Sequence, residues 1–329
     1  MKRVVALTLV ALPLAAPAHA TTLDAGQLLS QFNLITLNDL TFSSHTNGRV
    51  YVGGDFVANN SVIYDRNDGP TSSFDELIVK GSVSGSNLQV NNTGNIAVGG
   101  SVTLGVLELN GHGTANIGGT LSATANQGTK NQNVANIVDY VPQDVAATLQ
   151  GASASLASLT SNATAVMSYG KMVLDGSAAS GAQAVFNLAF SDFDLVGEVE
   201  LALSGATSMI INVSGTGGAL ADNFLGASRM AASGVIWNFY QATEIDFTRT
   251  FEGSVLAPMA DVTSAYSNFE GTLVARTANL TGEVHAQYYT GTIPAVAAPT
   301  ISAVPLPAGM PLLAGGLALL AGLRRKQRG

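Results

Sequence analysis

The sequence predicts a mainly β protein: a right-handed β-helix with one long helix packed alongside and a transmembrane helix near the C-terminal end. Three observations lead there. An alternating apolar strand followed by a glycine pair recurs at a fixed short spacing, the mark of a solenoid. An apolar stripe of helical period interrupts that rhythm once. Both outer segments are apolar runs flanked by basic residues, which suit export rather than a packed core.

Residues 1–20 read as a secretory signal. Lys2 and Arg3 form a positive start, Val4–Leu14 an apolar run too short to span a bilayer, and Ala18-His19-Ala20 a small-residue cleavage site. The body is expected over 21–290. Leu23–Leu29 is a candidate short helix. The repeat then begins with Asn47-Gly48-Arg49-Val50-Tyr51-Val52-Gly53-Gly54-Asp55-Phe56-Val57. It returns as Leu77–Val83, Ile96–Val102 and Ala115–Leu121. Val79, Val98 and Ile117 are nineteen residues apart, while Val52 to Val79 is twenty-seven, so one coil carries an insert near Asp65–Ser73. The stacked strands bury Val, Ile and Leu rows inward. Gly permits φ > 0 at the corners, and Asn tolerates it.

From Gln132 the rhythm changes. Val141, Val145, Leu149, Ala152, Leu156 and Leu159 recur every three or four residues, which predicts a helix over about Pro142–Leu159 with Pro142 in its first turn. Strands resume at Lys171–Leu174, Val185–Phe190, Val196–Leu203 and Met209–Val213. A second repeat maps Phe251–Pro258 onto Phe269–Arg276 at an offset of eighteen, continuing as Asp261–Thr263 over Asn279–Thr281, with Gly234 nineteen before Gly253. One continuous stack is the simplest expectation. Residues 291–303 form a Pro-, Ala- and Thr-rich linker. The tail, 304–329, joins Val304-Pro305-Leu306-Pro307-Ala308 to an uncharged eighteen-residue run, 306–323, and a basic end. That suits one bilayer span with its basic end cytoplasmic.

Composition narrows the functional classes. Of fourteen Lys and Arg, two lie in the signal and four in the tail; eight remain in the body against twenty-two Asp and Glu, a net charge of about −14. An acidic body excludes nucleic acid as a natural partner, because phosphate binding needs a basic surface. Cysteine is absent, so stability comes without disulfides.

Several segments together carry a resemblance. Phe32–Ile35, Gly48–Phe56, Trp237–Tyr240, Gly253–Pro258 and Gly282–His285 resemble the bacterial choice-of-anchor A domain, over about Leu23–Tyr289. The tail is similar to the VPLPA variant of the PEP-CTERM sorting signals, with Leu306 where the commoner form has Glu. The resemblance implies a surface or matrix protein of adhesin type, exported through the Sec machinery. It implies transient inner-membrane anchoring and tail processing by an exosortase, a membrane Cys transpeptidase. The resemblance names no ligand; exopolysaccharide stands beside it as a candidate partner. A β-helix with a flanking helix also resembles bacterial ice-binding domains; no regular Thr-x-Thr ladder is visible, which makes glycan or ice binding the second reading.

A catalytic site is not expected. His45, His112 and His285 are far apart, and no zinc spacing or G-x-S-x-G motif occurs. A polysaccharide-active enzyme, the third reading, would need clustered carboxylates with a basic residue, and the eight body cations are scattered. Glu252 and Glu270 should stack one coil apart, an unfavourable like-charge pair. Exposure to water is the expected relief, with Arg249, Arg276 or a bound Ca²⁺ as alternatives; no other cofactor is expected. Trp237 and Phe239 share one face, read as core. Tyr240 and Tyr288, with Glu252 and Glu270, are the candidate ligand surface.

Overall fold

A computed structural model describes residues 22–294, apart from 67–68, 138–140 and 227. The signal segment, the motif Val304–Ala308 and the expected span 306–323 lie outside the described residues. Among the described residues no helix is long and apolar enough to cross a membrane.

The body is a stack of parallel coils with three strand faces. On one face the ladder runs Gln183–Ala189, Ser208–Ser214, Val235–Asn238, Ser254–Ser264, Leu273–Leu280 and then Leu34–Thr36. It continues through Val50–Val52, Leu77–Val79, Ile96–Val98, Thr114–Ile117 and Thr129–Asn131. The expected single stack is present, but not in chain order. The first strand of the body lies in the middle, between Val50–Val52 and Leu273–Leu280. The chain winds outward from this seam to Asn131, crosses back along the stack, and winds from Gln183 to close against its own beginning.

Two helices cover this face. Helix α1 (Ala25–Gln31) starts at a capping box in which Asp24 accepts from the Gln27 amide and the Gln27 side chain accepts from the Asp24 amide. Helix α2 (Val145–Ala157) makes the return crossing, within the expected range; its buried Val145, Leu149, Ala152 and Leu156 form one apolar stripe. They pack with Ile35, Tyr51, Ile78, Ile210, Ile236, Leu256 and Val274 in one cluster. Strands covered on both sides read as unbroken apolar runs, as Leu77–Val79 does. Buried asparagines fix the helix position: Asn238 Nδ2 donates to the Ser153 carbonyl at 2.8 Å and Asn212 Nδ2 to the Leu156 carbonyl at 2.7 Å.

The interior is a second cluster. Valines and leucines fill the early coils, while Trp237, Phe239, Phe247, Phe251 and Phe269 fill the later ones, with ring centroids such as Phe247 and Phe269 4.9 Å apart. Trp237 and Phe239 are fully buried, as expected. At the seam, buried Asn33 donates to the Gly271 and His285 carbonyls and accepts from the Gly48 amide.

Three details differ from the sequence expectation. The glycine corners Gly53, Gly54, Gly81, Gly99, Gly100, Gly118 and Gly119 do not use positive φ. They are glycine because coils touch: a Cβ on Gly53 would lie 2.0 Å from the Leu37 carbonyl oxygen. Asp261–Thr263 pair with Thr277–Asn279, not with 279–281, because Ser254–Ser264 bulges between Ala257 and Asp261, around Pro258. Trp237 pairs with Val255, eighteen residues on rather than nineteen.

Candidate functional site

The helices leave a second strand face open. The coils with corners at Gly53-Gly54, Gly81, Gly99-Gly100 and Gly118-Gly119 reach it just after those glycines, so there the residues that follow the corner set its chemistry. Gly81-Ser82-Val83-Ser84, Gly100-Ser101-Val102-Thr103 and Gly119-Thr120-Leu121-Ser122 place a valine or leucine inward and two hydroxyls outward. The register aligns the outward residues into a row: Thr263, Asn279, Thr41, Val57, Ser84, Thr103 and Ser122. Neighbours in such a row are about 4.8 Å apart. All seven are uncharged, and Ser84, Thr103, Ser122, Thr263 and Asn279 are exposed.

A parallel row lies about 6.6 Å away along the strands. It begins with Glu244, Asp261 and Thr277 in register, and Asp39, Asp55, Ser82, Ser101 and Thr120 continue it. Its side chains stitch coil to coil. Asp39 accepts from the Asp55 amide at 2.8 Å, Asp55 from the Ser82 amide at 2.7 Å, Ser82 from the Ser101 amide and Ser101 from the Thr120 amide, both at 3.2 Å. Asp261 accepts from Arg276 and Thr277; Asp246, which extends the first row beyond Thr263, accepts from the Thr263 hydroxyl at 2.8 Å. These bonds fix the side chains before any partner arrives, which lowers the ordering cost of docking. Hydroxyls alone face outward over the last three coils, while Asp39, Asp55, Glu244, Asp246 and Asp261 acidify the earlier part.

Residues chosen from the sequence fall elsewhere. Tyr240 is half-buried beyond Asn238, and Tyr288 is half-buried with its hydroxyl wedged against Gly48 and Gly69. Glu252 and Glu270 do stack one coil apart. The expected exposure is wrong: they are 7% and 1% exposed. Neither Arg249 nor Arg276 relieves the pair. Arg229, from the short helix Ser228–Ala231, reaches Glu270 at 3.0 Å, Gln287 donates to it at 2.9 Å, and His285 Nδ1 lies 2.6 Å from it. The other ring nitrogen of His285 lies 2.7 Å from Glu283. Burial and the nearby Glu270 push the Glu252 carboxyl up to about 7. Burial also works against the Glu270 charge, but the His285 hydrogen bond and charge, with Gln287 and Arg229, hold its carboxyl below the ordinary Glu value. The Glu270 hydrogen bond, reinforced by Glu283, raises His285 against its burial. Among the described residues no set of three or more His, Asp or Glu is arranged to hold a metal ion.

In the sequence the open face is masked by the stronger glycine and apolar signal of the repeat. The signal that reveals it is polar-apolar-polar after each corner. It is not Thr-x-Thr, but it is regular in three consecutive coils.

The body is a parallel solenoid covered by helices on one side and presenting a hydrogen-bonding sheet on another. The chain belongs to the family described as "Putative Ice-binding-like adhesive domain", whose profile matches residues 25–286. No curated protein matches it. Among solved structures it is similar to an ice binding protein from an Antarctic Biological Consortium. That likeness is at 14% identity and a TM-score of 0.27, over 84% of this chain and 94% of the other.

Proposed function

We propose that this protein is an exported adhesive domain, not an enzyme, which holds to the cell envelope or extracellular polymer through its open face. The observation that carries the reading is the sheet itself, with two in-register rows of side chains and, among the described residues, no helix over it. A face of fixed donors and acceptors in register from coil to coil fits a partner that is itself extended and repetitive. Polysaccharide is favoured over ice because Asp39, Asp55, Glu244, Asp246 and Asp261 lie on the same face. Pressing carboxylates against an uncharged solid strips their water at a cost of several kcal/mol each. The uncharged outward positions Ser82, Ser84, Ser101, Thr103, Thr120 and Ser122 favour ice as the second reading. Thr103→Tyr keeps strand propensity while placing a bulky ring in the middle of the row. Retention of the body on insoluble polysaccharide should fall at least about tenfold, which is 1.4 kcal/mol, with no change in ice-affinity partitioning. Unchanged retention would remove the open face from the function, and loss of ice partitioning alone would favour the second reading.

The VPLPA tail supports export, membrane parking and exosortase processing before release to the surface. Fractionation of full-length chain against a chain truncated before Val304 tests this: only the full-length chain should pass through the membrane fraction. Identical distributions would sink the sorting role.

A further inference from the structure

We propose that Glu252, Glu270, His285 and Glu283 form a pH-dependent latch on the C-terminal strand. Protonated, the latch seats Val284–His285 between the two halves of the stack; stripped of its protons at alkaline pH, it releases that strand and the strap behind it.

The place matters. Val284–His285 pairs with Phe269–Glu270 on one side and is bridged to Thr46 on the other. The Val284 amide donates to the His45 carbonyl, and the Asn47 amide to the Val284 carbonyl, at 3.0 Å each. This two-residue strand therefore joins the last coil to the first half. The strap beyond it crosses the later coils: the Thr290 amide donates to the Ser233 carbonyl, and Gln183 donates to the Thr292 carbonyl. It leads to the linker, so a pull on the C-terminal side reaches this joint early.

The geometry requires protons. Both ring nitrogens of His285 meet carboxyl groups, at 2.6 and 2.7 Å. A neutral imidazole donates from one nitrogen only, so the double contact needs one proton more than a neutral ring between two carboxylates carries. Beside it Glu252 is buried, and its Oε2 has no hydrogen-bond partner. Ionised, Glu252 would be a buried, underpaired charge stacked on Glu270; protonated, it is not. The charged groups facing the pair are few: Arg229 from the short helix, His285 and Glu283 from the last strand, and His45, 3.6 Å from Glu283.

The direction follows from linkage. His285 and Glu252 both bind their protons more tightly in the folded chain than in the unfolded one. Their stabilisation is complete below the unfolded values. It is lost as pH rises, through about 7 for Glu252 and above the ordinary histidine value for His285. Glu270 acts oppositely and sets an acid limit, since its stabilisation is lost as pH falls through its lowered value.

Chymotrypsin reads the latch through Tyr288 and Tyr289 in the strap, with exposed Tyr266 as an internal reference that cancels the protease's own pH dependence. From pH 6 to pH 9 the strap-to-Tyr266 cleavage ratio of the full body should rise at least about tenfold, the equivalent of one pKa unit. Glu252→Gln, which imitates the protonated carboxyl, should reduce that rise. His285→Gln should give a high ratio at both pH values. A flat ratio in the wild type, or the wild-type rise unchanged in Glu252→Gln, would overturn the proposal. If His285→Gln fails to fold by circular dichroism, Glu252→Gln decides alone.

Discussion

At the scale of single residues, what separates this chain from a generic β-rich sequence is contact between coils. The corner glycines are dictated by the neighbouring backbone. Gly53→Ala would drive a Cβ to 2.0 Å from the Leu37 carbonyl oxygen, whereas a Cβ on Gly197, which lacks positive φ, meets nothing within 4 Å. The first change should cost about 1–3 kcal/mol or more, as overpacking does. The second should be neutral or slightly stabilising, since alanine narrows the unfolded ensemble. Urea unfolding of both variants checks this, and equal midpoints would contradict the packing account. The same scale shows why the sequence misplaced its candidate ligands. Glu252 and Glu270 looked like surface charges because alternation gives the side of a strand, not what later covers it. Their covers, Arg229 and Gln287, come from segments with no repeat signal. His285 was visible only as a lone histidine.

At the scale of elements, much was legible. Nineteen-residue spacing between Val79, Val98 and Ile117 became parallel pairing of those residues, because buried rows tolerate no slip of register. The helix over 145–157 was legible from its stripe. The bulge at Pro258 was not, since two extra residues inside a strand leave the apolar alternation on either side intact. The asparagine contacts under α2 were also hidden. Asn212 and Asn238 read as polar breaks in apolar strands, yet each pairs a buried amide with a helix carbonyl. A buried polar group that finds its partner orients an element without a desolvation penalty. The open face was written in the sequence but obscured: each coil spends only two outward residues on it, and serine, threonine and aspartate alternate there.

At the scale of the molecule, the order of the stack is the main finding that periodicity could not supply. Repeats show that coils stack, not which coil lies beside which. Here the first strand closes against Leu273–Leu280, and Asn33 and Thr272 bind the seam across more than two hundred residues, Thr272 Oγ1 donating to the Leu29 carbonyl at 2.9 Å. The result is one stack with helices on one side and a polar sheet on another. A cysteine-free body allows the central claim, that the open face does the holding, to be measured by orientation. Thr103→Cys would couple the protein to beads with that face buried; Ala147→Cys, on the outer side of α2, would leave it free. At equal loading, only beads coupled through Ala147→Cys should retain insoluble polysaccharide. Equal retention by both would contradict the account.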